Sequence, residues 1–427
     1  MAQTAKIDTN ISMTTITTIE GLQIIDSRGN PTVRAYITLS DGSVHSSSVP
    51  SGASVGVYEA KELRDHNSKR YFGLGVSQAI NNIKNPIRKA LTGRNISSPR
   101  IIDEILLQLD VTSDKSILGA NAILAVSQAV HKASAHSMHI PLWKCLQEVY
   151  FPHVKPSFPR LFINVIEGGI HADWIFDIQE FVIIPRKTSP VESVRIGVEI
   201  FQSIKKELRS KNLSTLVGDE GGLSPHLNSN EGVFELILEA AVKASFTLGN
   251  DYELGIDAAA SALFHNGVYK LTKEDIHLTP NQLSQRYEKY IDSYHISYFE
   301  DPFAEDDWES FNNFTANAHG RFTVVGDDLF ATNIERLKKG IKLKSANAII
   351  IKPNQVGTIF ETMEAIQLAK NANWKTIISH RSGDTEDTFM ADLAYGTGAD
   401  FIKAGSMSRS ERLAKYNRLL EIEAFEQ

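Results

Sequence analysis

The sequence predicts an α/β protein: a TIM-like eight-stranded barrel with one antiparallel strand, preceded by a smaller α+β domain. Three observations carry this. Short apolar runs alternate with amphipathic helical stretches through the last two thirds of the chain. A different pattern, three closely spaced strands followed by helices, fills the first third. Charged residues stand at the ends of the apolar runs in the second part, where a barrel gathers its active residues.

The first dozen residues, MAQTAKIDTNIS, are polar and read as a flexible tail over residues 1–13. Thr17 to Ile25, Pro31 to Leu39 and Ser43 to Val49 read as strands, with turns at Asp26-Ser27-Arg28-Gly29-Asn30 and Asp41-Gly42. Connections this short make an antiparallel meander. From Ser77 to Val149 the spacing is helical, and the small residues Gly119, Ala120, Ala122 and Ala125 allow close helix packing. A meander plus helices over residues 14–150 makes the smaller, capping domain.

The proline-studded FPHVKPSFP opens the barrel domain, residues 151–427. Candidate strands are Leu161 to Ile166, Glu180 to Ile184, Thr215 to Val217, Leu254 to Asp257, Tyr298 to Glu300, Thr323 to Val325, Ala348 to Lys352, Thr376 to Ser379 and Phe401 to Lys403. That is one too many for eight. The span from Gly168 to Gln179 is too short for a crossover helix, so the first two strands are expected to be antiparallel neighbours. Thr215 to Val217, which runs into LVGDEGG between two helical segments, is expected to be an ordered loop.

Composition narrows the function. The chain has 427 residues, 42% hydrophobic and 22% charged, the mixture of a globular protein with large cores. A single cysteine, Cys145, forms no internal disulfide and points to a reducing, cytoplasmic setting. No stretch approaches the ~20 apolar residues of a bilayer span, and a net charge of -7 argues against direct nucleic-acid binding. A small-molecule substrate is expected; an anionic one needs local cations or a metal.

Two constellations stand at the strand ends. Asp257, Glu300 and Asp327 offer oxygen ligands without cysteine or clustered histidine, which suits magnesium. Asp301, Asp306, Asp307 and Asp328 read instead as solvated acids, helix caps or partners of neighbouring bases. Lys352, Arg381, Ser382 and Lys403 supply forks, point charges and a hydroxyl for an anion. A lysine among a metal and other cations loses proton affinity and becomes available as a base, although Lys352 and Lys403 could equally neutralise the acids. Glu180, His380 and, on the loop, Glu220 complete the set.

The motifs then resemble one family. SRGNPTV (Ser27 to Val33), SGAS (Ser51 to Ser54), LGANAIL (Leu118 to Leu124), HAD with DIQEF (His171 to Asp173, Asp177 to Phe181) and VGDEGG (Val217 to Gly222) are similar to enolase. So are VGDDLFATN, IKPNQVGT, ISHRSGDTED and IKAGSMSRSERLAKYN, so the resemblance runs from about residue 14 to residue 423. It implies a hydro-lyase that interconverts 2-phospho-D-glycerate and phosphoenolpyruvate plus water, in glycolysis and gluconeogenesis. It implies two Mg2+ per active site, one bridging to substrate, and a homodimer or larger homo-oligomer. By the same resemblance Lys352 is the proton acceptor and Glu220 the proton donor, with Glu180 and His171 assisting. Gln179, Arg381, Ser382, Lys403 and His380 bind substrate. Asp257, Glu300 and Asp327 hold the first metal, and Ser54, on a mobile loop, the second. A lysine or histidine base beside one or two magnesium ions is general to enolase-superfamily sites, so that pairing comes with the resemblance and not from these residues alone.

The chain departs from the family pattern at several positions. Ile166-Glu167-Gly168-Gly169 stands where INGG is usual, and Trp174 where asparagine follows HAD. Ala262 replaces the glutamate of ASEF, and Val55, Leu74 and Ala404 replace residues of SGAST, GKGV and KTGS. Glu167 near an anion site is expected to repel a phosphate by ~1 kcal/mol in a fully screened setting, and more if less screened. Trp174 is expected to be a packing change. Two other readings are a related lyase acting on a phosphonate analogue and a non-catalytic binding or scaffold paralogue. The presence of Lys352 and Glu220 argues against the second. A surface role through a terminal lysine has less support, since the chain ends EIEAFEQ.

Overall fold

The computed structural model describes residues 14–52 and 56–426. The expected tail over residues 1–13, and Ser54 and Val55, lie outside the described residues.

The meander forms as β1 (Ile16–Ile25), β2 (Pro31–Leu39) and β3 (Val44–Ser48), antiparallel in that order. Asp26 sets the first turn by accepting the N–H groups of Arg28 and Asn30 through one oxygen, each at 2.9 Å. Val33, Ala35, Ile37 and Leu39 point to one buried face, as a period of two requires. That face packs on the helix Ala120–Ser137, which is almost wholly buried between the meander and the barrel. Its alanines and serines permit the close approach. The helical stretch after Ser77 widens into a π turn at Ile83–Ile87 around Pro86, whose missing N–H breaks the regular ladder.

The barrel closes from β4 (Arg160–Glu167), β5 (Glu180–Pro185), β6 (Tyr252–Asp257), β10 (Ile296–Glu300), β11 (Thr323–Gly326), β12 (Ala348–Ile351), β13 (Lys375–Ser379) and β14 (Phe401–Lys403). All eight expected strands form. β5 runs antiparallel to both β4 and β6, and the remaining pairs are parallel. Thr215 to Val217 makes only an isolated bridge, Val217 to Leu223, within its loop. Phe162, Val182, Ile184, Tyr298, Val325, Ala348, Ile350, Ile377 and Phe401 form a separate apolar cluster of strand residues, while their strand neighbours join the larger core.

A small sheet was not expected from the sequence: β7 (Phe264–His265), β8 (Val268–Leu271) and β9 (Ile276–Leu278). Its first turn is Asn266-Gly267, both at positive φ, which is the backbone a two-residue hairpin prefers. Among the described residues, no helix is long and apolar enough to cross a membrane.

Candidate active site

Strand direction decides which residues meet. Seven parallel strands bring their carboxyl ends to one face, and the reversed β5 brings its amino end there. Glu180 therefore pairs with Glu167 on one side and Asp257 on the other, and Asp257 pairs with Glu300. Ser379 pairs with Lys403 at the same level of β13 and β14. Above this level lies a cavity of about 330 Å³. His171, Gln179, Glu180, Glu220, Asp257, Asp327, Lys352, His380, Arg381, Ser382 and Lys403 all line it. Of the expected site residues among those described, Glu300 alone is not in its wall; it lies fully buried against Lys403.

Lys403 Nζ is shared by three carboxylates: Glu180 at 3.1 Å, Asp257 at 3.0 Å and Glu300 at 2.8 Å. Burial alone would lower the Lys403 pKa, but these acids drive it well above the usual lysine value. Glu300 also accepts the Tyr298 hydroxyl at 2.6 Å, and burial with the Asp257 charge pushes its carboxyl up to about 8. Lys352 Nζ contacts Asp327 directly. Burial acts to lower the Lys352 pKa and the Asp327 contact outweighs it, so the net direction is upward. That differs from the expectation of lowered proton affinity: Arg381 and Lys403 act in the expected sense, but the touching carboxylate is stronger.

In the same cavity, Glu220 Oε2 lies 3.2 Å from His380 Nε2, and Glu220 Oε1 lies 3.7 Å from His171 Nδ1. His171 Nδ1 is also 3.6 Å from Glu180 Oε1. Burial lowers both imidazoles, His380 to about 4, and raises Glu180 well above the usual carboxylate range. Neutral rings are therefore the form at pH 7. Gln179 Nε2 reaches Asp257 at 3.5 Å.

Residues 16–146 match the family model of the enolase N-terminal domain, and residues 155–426 match that of the enolase C-terminal TIM barrel domain. The chain belongs to the enolase family. Within this enolase-family site, the acids that the sequence set aside divide. Asp307 caps the helix Trp308–Ala318 by accepting the Ser310 N–H at 3.2 Å, and Asp306 pairs with Arg336 at 3.1 Å, as expected. Asp301 and Asp328 do not fit that reading. Asp301 is buried and accepts the N–H groups of Asp327 at 2.9 Å and Asp328 at 2.7 Å, so it shapes the loop that presents Asp327. Oxygens of Asp301, Asp327 and Asp328 come within 4.8 Å of one another. Burial and the adjacent acids raise Asp301 well above its usual value and bring Asp328 to about 7.

Sequence reasoning missed several supporting residues of this enolase fold. Glu59, from the smaller domain, holds Arg381 through both terminal guanidinium nitrogens, at 2.8 and 3.2 Å, with Asn354 accepting a third bond at 3.1 Å. Gln355 Nε2 reaches toward Asp327 and Glu59, at 3.5 and 3.4 Å, while Thr332 donates to its oxygen at 2.7 Å. Arg412, with no solvent exposure, binds His380 and the backbone around it. Each lies inside a quoted motif or near one, but a charged residue in a helix or loop carries no signal that it is buried.

Two expectations about the departures are corrected. Glu167 does not face the cavity; it is fully buried behind the Glu220 loop, so direct repulsion of a bound phosphate is not what its position shows. Trp174 is 42% exposed at φ +57 and is not packed into the core. Ala262 does line the cavity.

Proposed function

We propose that the protein catalyses the reversible dehydration of 2-phospho-D-glycerate to phosphoenolpyruvate, as a step of glycolysis and gluconeogenesis. The observation that carries this is that Lys352 and the Glu220–His380 pair line one polar cavity, with Arg381, Ser382 and Lys403 in the same lining. A reaction that removes a proton from one carbon and hydroxide from the next needs a base and an acid on the two sides of its substrate. Lys352 is the candidate base for the carbon beside the carboxylate. Glu220 is the candidate acid for the departing hydroxide. Arg381, held in orientation by Glu59, is the candidate positive charge for the phosphate, together with the Ser382 hydroxyl. Gln179 and His380 contribute hydrogen bonds, and His171 and Glu180 connect Glu220 to the Lys403 cluster.

The donor set fits a hard divalent cation: Asp257, Glu300 and Asp327 are oxygen ligands at one end of the barrel, with two lysines now satisfying their charge. Bound Mg2+ would supply positive charge beside the substrate carboxylate, where negative charge grows when the proton leaves. Ser54, outside the described residues, is the candidate contact of a second, substrate-bridging ion. A homodimer belongs to the same proposal and rests on the family alone; a cytoplasmic location belongs to it too and rests on the single cysteine.

The test is the ultraviolet absorbance of phosphoenolpyruvate after mixing the protein with 2-phosphoglycerate, with magnesium or chelator, beside Lys352→Ala. A magnesium-dependent rise that the variant loses is the expected result. A folded, magnesium-supplied protein that gives no rise refutes the proposal, and turnover of a phosphonate analogue in its place would favour the related lyase.

A further inference from the structure

Glu167 ends β4 at a position where the family pattern has asparagine, and its carboxylate is clamped by the loop that carries Glu220. Its Oε2 accepts the Glu220 N–H at 3.1 Å, and its Oε1 accepts the Gly222 N–H. Its own N–H donates to the Leu223 carbonyl at 2.9 Å, and the Leu223 N–H returns to Val165 at 2.9 Å. The loop also closes on itself, Gly218 N–H to Gly222 carbonyl at 2.9 Å. Two glycines make room for the carboxylate. A Cβ at Gly218 would collide with Glu167 Oε2, and one at Gly222 would come within 2.9 Å of Oε1. From the far side, Arg412 donates to the Asp219 carbonyl at 3.2 Å.

We propose that Glu167 is a positioning residue that fixes the Glu220 carboxyl by anchoring its backbone. The inference rests on the proposed dehydration. Burial and the Glu220 charge raise the Glu167 pKa well above the usual carboxylate range, and the two backbone N–H groups act against that shift by donating one to each of its oxygens. An amide offers one acceptor oxygen, and turns its own N–H groups toward the second donor. Asparagine is also one methylene shorter. This chain therefore uses an anchor of a different chemistry from the family pattern, beneath an unchanged acid. Because Glu167 acts on Glu220 and not on Lys352, it bears on hydroxide departure and not on proton removal.

The experiment compares wild type with Glu167→Gln, following dehydration and, by NMR, exchange of the carbon-2 proton of 2-phosphoglycerate with deuterated solvent. Expected is a fall in kcat for dehydration on the order of 10- to 100-fold, as a misplaced catalytic group gives, with KM unchanged. The ratio of exchange to dehydration should rise by the same factor. A lower KM at unchanged kcat would restore phosphate repulsion and overturn the inference; so would a parallel loss of exchange and dehydration. If Glu167→Gln does not fold, Gly218→Ala, which crowds the carboxylate without removing it, is read by the same split and the same outcomes. If wild type shows neither reaction, the functional reading fails by itself. The anchor is then read by amide hydrogen exchange at Gly222, expected to be at least tenfold faster in Glu167→Gln, and equal protection overturns it.

Discussion

Replacing Arg412 by methionine should both loosen the fold and free the tautomer of His380. Arg412 arises from the helix Ser410–Phe425 and has no exposed surface. One terminal nitrogen donates to His380 Nδ1 at 2.7 Å and to the Arg381 carbonyl. The other donates to the carbonyls of Ser382 and Asp219 and to Ser27 Oγ. Arginine has donors only, so His380 Nδ1 must accept. A neutral ring then carries its one proton on Nε2, facing Glu220 at 3.2 Å. Methionine fills much of the same volume, yet three carbonyls lose a charged donor and Asp384 keeps Lys415, at 3.1 Å, while losing Arg412, at 3.6 Å. Hydrogen bonds to charged groups contribute about 1.5–3 kcal/mol each and are not additive; breaking one buried charge cluster costs about 3–5 kcal/mol. The expected loss is about 4 kcal/mol, measured by denaturant unfolding. Imidazole 15N shifts should show protonated Nε2 in wild type and a mixture in Arg412→Met. A wild-type proton on Nδ1, or a variant within about 1 kcal/mol of wild type, would refute the reasoning.

Asp103, fully buried and accepting the Phe360 N–H at 2.9 Å, is pushed by burial from 3.8 up to about 7. The folded chain thus keeps a proton that the unfolded chain gives up, so this group's contribution falls as pH rises from about 4 to about 7, by on the order of 4 kcal/mol; Asp103→Asn should flatten that slope in denaturation at pH 5 and pH 8, and equal slopes would count against it. Glu59→Gln weakens a buried pair between the two parts of the fold, with expected losses of about 3 kcal/mol in stability and a several-fold rise in KM for 2-phosphoglycerate, read by unfolding and initial rates. Glu300→Gln should reduce dehydration by at least about 100-fold yet leave the melting temperature in chelator unchanged or higher, because it relieves a row of like charges; a marked drop in melting temperature would contradict this.

The parts of the fold legible in the sequence were those with a strong local period. Of nine apolar runs, eight became barrel strands and Thr215 to Val217 stayed in a loop, as expected, and the short span between Gly168 and Gln179 foretold the reversed β5. The β7–β9 sheet escaped because its strands are two to four residues long, below the length at which alternation shows, although Asn266-Gly267 was an available hairpin signal. The site was legible where strand ends carry charge, since topology alone brings such ends together. Glu59, Arg412 and Asp301 were not, because their roles come from burial and from donors supplied by distant backbone. Glu167 shows the limit most clearly: its charge was visible, but the direction its side chain takes depends on a loop more than fifty residues away.

The reversal of β5 explains why the site is so acidic at one level. Register places Glu167, Glu180, Asp257 and Glu300 side by side across β4, β5, β6 and β10. Like charges directly opposite in a sheet are unfavourable, and all four are buried. A parallel β5 would present its last residue, Pro185, at this level and Glu180 at the far end of the barrel. The fold therefore brings in one further carboxylate through an antiparallel strand, and offsets the row by sending Lys403 across from β14 to three of the four. Glu167, the fourth, turns its side chain to the Glu220 loop instead. The same lysine that makes the row stable lines the cavity, so the residue that holds the acids together is also one that the proposed reaction would place beside its substrate. Stability and chemistry at this end of the barrel are thus set by a single cluster, which is why a substitution there is expected to separate them.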